Sequence, residues 1–293
     1  MRAGGPVEAV EIATAKVKEL RARTGAGIMD CKRALQETEG DLDRAMQAMR
    51  VAGKTQAERR AGRIAAEGAV LVRAEGHLLL EVNCETDFVA RSPDFQGFME
   101  GVADSILAAV PADLAALNEA PFRSGELSVE EARCELVSKI GENVAIRRFF
   151  RMSEVCGQVG GYQHGNRIGV LVDVQGASSG SASGKMTELA RDIAMHICWG
   201  RPVCVSERDM PAELLERERK ILLEQAERSG KPAPIMEKII AGRLRKFLQE
   251  VTLLGQGFVK DPERSVAAVL DEAAASVRSF ARYEVGEGLK NGD

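Results

Sequence analysis

An α+β fold with helical additions is what this sequence predicts, on three observations. Short apolar runs pair about glycine turns, as at residues 69–73 and 77–83 around Glu75-Gly76, and read as strands. Amphipathic helical segments are interspersed with them in an irregular order. Two charged helical segments, 211–228 and 235–250, flank the breaker Gly230-Lys-Pro-Ala-Pro and read as an antiparallel αα-hairpin or coiled coil. With 293 residues, 45% of them hydrophobic and 29% charged, the chain can bury a substantial core and form two or more domains.

In chain order, residues 7–52 read as three short helices. Val10, Ile12, Val17 and Leu20 give the first a sparse apolar stripe, broken at Thr24-Gly25-Ala26-Gly27. A second helix, about 28–37, is expected to end at Gly40, since glycine takes the left-handed conformation needed past a helix C-terminus. Asp41 then caps a third helix with Leu42, Ala45, Met46 and Met49. Residues 53–67 suit a linker or an exposed helix. After the hairpin strands, Asn83-Cys-Glu-Thr-Asp-Phe-Val-Ala-Arg reads as a loop that sets Phe88 and Val89 beside Glu85 and Asp87. Ser92-Pro93-Asp94 opens a helix whose face is Phe95, Phe98, Val102 and Ile106.

A similar order recurs. Residues 143–150 read as a strand, then 160–164 and 167–174 as a hairpin around Gly165-Asn166. A Ser/Gly-rich loop, 177–184, leads into a helix with Met186, Leu189, Ile193 and Ile197. The two helix faces match position by position, which either a duplication or the common period of amphipathic helices explains. The αα-hairpin follows, carrying Leu214, Leu215, Ile221 and Leu222, then Ile235, Ile239, Leu244, Phe247 and Leu248. Last come Gly255-Gln-Gly-Phe-Val, a helix at about 265–276 and a strand-like segment, 279–285.

Composition excludes several functions. A net charge of −4 argues against a dedicated nucleic-acid binder. None of the six cysteines stands in a C-x-x-C and the three histidines lie far apart, so zinc and thioredoxin-type chemistry lack their spacing and free thiols are expected. With no run of about 18 apolar residues and no leader pattern, a cytoplasmic protein without a membrane partner is expected. The turn Thr24-Gly-Ala-Gly lacks the lysine and hydroxyl of a P-loop, and no strand precedes it. It reads as a tight helix-helix turn, although Ile28 and Met29 at the next helix start cannot easily face one core. His164 has no Ser or Cys partner that the sequence reveals, so no catalytic residue, metal ligand or cofactor site is expected.

The run from Val17 to Leu35, with Thr24-Gly-Ala-Gly-Ile-Met-Asp-Cys-Lys at its centre, resembles the N-terminal signature of bacterial elongation factor Ts. Glu81-Val-Asn-Cys-Glu-Thr-Asp-Phe-Val-Ala resembles its second signature, and Gly161-Tyr-Gln-His-Gly-Asn-Arg-Ile-Gly-Val-Leu-Val a third. In the third, glycine stands where the family more often has a serine before the tyrosine. Ile193-Ala-Met-His-Ile, Ser229-Gly-Lys-Pro, Gly242-Arg-Leu-Arg-Lys-Phe and Tyr283-Glu-Val-Gly-Glu-Gly continue the likeness in order along nearly the whole chain.

The resemblance implies five parts: a ubiquitin-associated-like three-helix domain (1–55), a core of two hairpin-plus-helix halves (56–150 and 151–205), the αα-hairpin (206–254) and a small C-terminal module (255–293). It implies a guanine nucleotide exchange factor that binds elongation factor Tu, both GDP-bound and nucleotide-free, with no direct nucleic-acid contact and no covalent chemistry. In the family the tetrapeptide matching Thr86, Asp87, Phe88 and Val89 disturbs the partner's magnesium site. Ile28, Met29 and His164 match further partner contacts, and where Ile28 stands the family often has methionine. The helical hairpin either mediates self-association or braces the core. Position alone favours a core role for Phe88, since most large apolar side chains are buried. Two rival readings remain at this point: a peptide- or ubiquitin-binding adaptor acting through residues 1–55, and a nucleotide-binding enzyme.

Overall fold

The computed structural model describes residues 13–75, 77–176, 183–227 and 233–289. Val10 and Ile12, the hairpin residue Gly76, residues 177–182 of the Ser/Gly-rich loop and the breaker residues Gly230-Lys-Pro lie outside them. The described residues mix helices with small sheets in irregular order, an α+β fold. The chain divides into two units. One comprises the chain up to Ala69, Leu80–Phe149 and the residues from Val285 on, and the other Val70–Leu79 and Phe150–Glu284.

In the first unit, α1 (Thr14–Thr24) stops at Gly25, whose φ of 66° is left-handed and whose N–H reaches back to the Arg21 carbonyl. Helix α2 (Ile28–Glu37) ends ahead of Gly40 (φ 80°), whose N–H donates to the Leu35 carbonyl at 2.8 Å. Asp41 caps α3 (Leu42–Arg60), its Oδ1 accepting the Asp43 and Arg44 N–H groups at 3.0 Å. Leu20, Cys31, Ala34, Leu35 and Ala45 form the small core among them. The stretch expected as a linker or exposed helix is the continuation of α3 as far as Arg60.

Strands β1 (Glu67–Arg73) and β2 (Leu78–Cys84) precede the single helical turn α4 (Asp87–Ala90). Helix α5 (Pro93–Ala109) has Ser92 as N-cap and buries Phe95, Phe98, Val102 and Ile106, the face its sequence predicts. Helices α6 (Leu114–Glu119) and α7 (Val129–Ile140) were not anticipated. The signal for α7 is the capping box, in which the Ser128 Oγ accepts the Glu131 N–H and the Glu131 carboxylate accepts the Ser128 N–H. The second half of α3 packs on α7, burying Gly53 and Ala57, and Arg60 donates to the Val137 carbonyl at 3.1 Å. Strand β3 (Val144–Arg151) completes a sheet of order β1-β2-β3.

Every residue of β2 is buried, Glu81 and Asn83 included. Glu81 is neutralised where it sits: Oε1 accepts from Arg147 at 2.8 Å and from the Gly286 N–H at 2.9 Å, and Oε2 from Arg148 at 2.6 Å. A buried carboxylate without such partners is strongly destabilising.

In the second unit, β4 (Gln158–His164) and β5 (Ile168–Gly176) form an antiparallel hairpin in which Tyr162 faces Val170 and His164 faces Ile168. Helix α8 (Ser183–Gly200) lies so close to β4 that a Cβ at Gly160 would overlap the Ala190 carbonyl. Ile193 and Ile197 of α8 share a core with Val170, Val172 and Val174. Helices α9 (Ala212–Glu227) and α10 (Ala233–Val251) pair with each other, joined by a 3.1 Å bond from Arg243 to Gln225. After the short ladder β6 (Gly257–Phe258) and β7 (Asp261–Ser265), α11 (Val266–Glu272) is shorter than the sequence suggests. The last strand, β8 (Ala275–Glu284), adds to β5 antiparallel, giving the order β4-β5-β8.

Candidate partner-binding site

The segment after β2 is not the loop its composition suggests. Thr86 leaves the strand with φ −128° and ψ 153°, and Asp87–Ala90 closes one helical turn, with the Ala90 N–H on the Thr86 carbonyl at 3.2 Å. Thr86 is its N-cap, the Oγ1 accepting the Val89 N–H at 3.4 Å. The turn points Ala90 inward, 1% exposed, and Phe88 outward, 83% exposed. Phe88 therefore does not close the core beneath the sheet, since Ala90 is the residue of this turn that packs there. It is the most exposed large apolar side chain among the described residues. Leaving such a ring in water forgoes about 1.5–3 kcal/mol that burial would supply.

The turn is held from one side by residues just past α7. Gly141, with φ 87°, ends that helix in the left-handed conformation and turns the chain toward β2. Glu142 then accepts the Thr86 N–H at 3.0 Å and the Thr86 hydroxyl at 2.7 Å. Asn143 donates its N–H to Glu85 at 2.7 Å and its side-chain amide to the Arg63 carbonyl at 2.8 Å. Behind the turn, Gln96 donates to the Ala90 carbonyl at 2.6 Å. Asp87 pairs with Arg91 at 3.1 Å, the Arg91 side chain mostly in solvent and that of Asp87 about half exposed. Such a pair contributes little.

Cys84 lies beneath this turn and donates its S–H to the Thr86 carbonyl at 3.1 Å. Burial, reinforced by the nearby Glu142 charge, pushes its thiol up to about 12, so it stays protonated and unreactive. All six cysteines are free, and five of them are buried.

Ile28 and Met29, also in the first unit, begin α2 directly after Gly27 and are 53% and 70% exposed. Cys31, Ala34 and Leu35 make the inward face of that helix, which leaves the adjacent apolar pair on the surface.

His164 belongs to the second unit. It ends β4 exposed, its Nδ1 3.3 Å from the Tyr162 hydroxyl. Trp199 of α8 meets its ring edge-on, with centroids 4.9 Å apart, and is itself 55% exposed. Reading the sequence did not single out Trp199. The signal was available: it falls off the stripe made by Met186, Leu189, Ile193 and Ile197, and apolar residues off a stripe are exposed. Glu142 was missed as well, and no local pattern marks it. Nearby, His196 is buried with its Nε2 3.0 Å from Gln256, while Nδ1 accepts the Val259 N–H. Burial lowers its pKa, so the ring is a neutral structural hydrogen-bonding group.

Among the described residues no cluster of three or more His, Cys, Asp or Glu side chains could hold a metal ion, and no helix is long and apolar enough to cross a membrane. The arrangement offers exposed apolar and aromatic side chains on well-supported backbone, which suits protein recognition.

Comparison with known proteins gives the same direction. The family model described as Elongation factor TS matches residues 85–287. Elongation factor Ts of Thioalkalivibrio sulfidiphilus is 50% identical over 284 residues, covering 95% of this chain and 94% of the relative. That of Alkalilimnicola ehrlichii is 50% identical over 281 residues, covering 94% and 93%. That of Legionella pneumophila (strain Paris) is 46% identical over 283 residues, covering 95% and 94%. On matches of this extent, the chain belongs to the elongation factor Ts family of translation elongation factors.

Proposed function

We propose that this chain is a cytoplasmic guanine nucleotide exchange factor that binds elongation factor Tu·GDP and promotes GDP release, so that GTP can bind. The observation that carries the reading is Phe88, an aromatic ring 83% exposed on a turn whose backbone is fixed from behind. On binding, the ring enters an apolar slot of the partner as a buried anchor. Val89 widens the apolar contact, while Thr86 and Asp87 shape the turn. The magnesium ion affected belongs to the partner. Its octahedral oxygen geometry tolerates little displacement, so a small shift of its supports weakens it and leaves the GDP phosphates less neutralised.

No bond is made or broken. The effect is one of linkage: if this chain weakens GDP binding a thousandfold, GDP weakens its binding equally, a coupling of about 4 kcal/mol. The Phe88 ring supplies about 1.5–3 kcal/mol of that. Ile28, Met29 and His164, the last with Trp199 beside it, supply further contacts. In this reading residues 1–55 form a ubiquitin-associated-like domain. Residues 56–150 and 151–205 form the two halves of the core, 206–254 the αα-hairpin and 255–293 the C-terminal module.

The test is release of labelled GDP from purified elongation factor Tu, with and without this chain. Release is expected to accelerate, and Phe88→Ala is expected to lose about 10- to 100-fold of the acceleration. An adaptor or a nucleotide-binding enzyme predicts no acceleration, and the enzyme predicts that GDP binds this chain itself.

A further inference from the structure

Two residues determine where Phe88 stands: the N-cap of its turn and a carboxylate 56 positions further along the chain. The first is Thr86, whose hydroxyl has one proton and two lone pairs. Its proton is committed to Glu142 Oε1 at 2.7 Å, which turns a lone pair toward the Val89 N–H at 3.4 Å. The second carboxylate oxygen of Glu142 takes the Thr86 N–H at 3.0 Å. One carboxylate thus fixes both the backbone entry to the turn and the rotor that caps it. Without it, the hydroxyl could donate elsewhere and the cap would be lost. Asn143 fixes the preceding residue, Glu85, from the same short segment.

We propose that Glu142 is a positioning residue for nucleotide exchange: by holding Thr86 twice, it keeps the Asp87–Ala90 turn closed and Phe88 preset for the partner. This rests on the exchange-factor reading above. It assigns Glu142 no contact with the nucleotide or the metal. The advantage is preorganisation, because a ring already in its bound orientation loses less conformational freedom on docking.

The experiment uses the full chain and elongation factor Tu loaded with labelled GDP, and compares wild type, E142A, E142Q, F88A and the double variant E142A/F88A. Loss of one charge-assisted clamp corresponds to about tenfold slower release in E142A. E142Q is expected between wild type and E142A, because its amide oxygen can accept only one of the two Thr86 donors and its NH2 group cannot accept the other. The double variant is expected to be no slower than F88A alone, since Glu142 acts only through the ring. In the free protein, hydrogen exchange across residues 83–91 should quicken in E142A while the melting temperature holds. If E142A does not fold, E142D, whose carboxylate is one methylene short of Thr86, makes the same comparison.

Wild-type release by E142A alongside slow F88A would overturn the positioning role and leave the wedge standing. Losses that multiply in the double variant would also overturn it, by making Glu142 independent of Phe88. Wild-type release by F88A would instead remove the wedge reading on which the proposal rests.

Discussion

Phe88 has no ring contact among the described residues and stands on a turn whose backbone is clamped by Glu142 and Asn143. His164, in the other unit, stands at a strand end where side chains do the holding: Tyr162 beside it and Trp199 across its edge. The first arrangement fixes the main chain and leaves the ring clean. The second has a strand end paired with Ile168 and fixes the ring itself through its aromatic neighbours. A clamped backbone should tolerate truncation of the presented side chain without loss of stability. A stacked cluster should transmit truncation of one ring to the next.

The largest expected effect falls on the clamped side. Phe88→Ala should slow GDP release by the 10- to 100-fold given above while leaving the melting temperature unchanged, because a ring 83% exposed contributes almost nothing to the folded core. A drop of several degrees would show that the ring packs in solution and would collapse the contrast. Next comes Gly141→Ala, which places a Cβ at φ 87°. Space is not the obstacle, since beyond its chain neighbours the nearest heavy atom to that Cβ would be Arg60 Nη2 at 3.9 Å. Left-handed strain is, at about 1–2 kcal/mol, readable as a lower urea midpoint and a loosened turn. On the stacked side, His164→Ala and Trp199→Ala should interact: a double-mutant cycle on partner affinity should give a coupling of about 0.5–1.5 kcal/mol, whereas strict additivity would mean that the rings act separately.

The smallest effect is of pH, and it separates the two regions again. Burial lowers the pKa of His196, on the same helix as Trp199, with Lys246 and Glu250 lining the cleft beside it. The unfolded chain takes up the proton first, near pH 6.5. The stabilisation from the neutral ring is therefore complete above that pH and declines below it, by at most about 1.4 kcal/mol per pH unit until the folded-state pKa is reached. Urea midpoints at pH 7.5 and 5.5 should fall further for wild type than for His196→Gln. Equal shifts would mean that His196 titrates as if exposed.

How much of this was legible depended on range. Asp41 and Ser92-Pro93 declare their helices because a cap acts on N–H groups two or three residues away. Strand β2 was found as an apolar run, although its burial on every residue hides the alternation that would have set its faces. Helix α7 escaped notice because Val129, Ala132, Leu136 and Val137 are interleaved with Glu130, Glu131, Arg133 and Glu135, despite its capping box. The outward turn of Phe88 could not be read, since Asp87–Ala90 is too short for a period to show. Glu142 acts on Thr86 across 56 positions of chain, and no local pattern encodes a contact of that span. The family signature located the segment around Phe88, while the part that holds it lies elsewhere in the sequence.

The Gly286 N–H on buried Glu81 has a practical consequence for anyone trimming the molecule. Residues from Val285 on belong with the first unit, although the strand they follow belongs to the second. A chain stopped at Glu284 would keep all of β8 and look conservatively shortened. It would nonetheless remove a hydrogen-bond donor from a carboxylate with no access to water, and so damage the interior by cutting a segment that lies past the last strand. Tags are better placed beyond Leu289 than in exchange for the residues before it, and a protease that nips the C-terminal end should be expected to lower the melting temperature as a core substitution does.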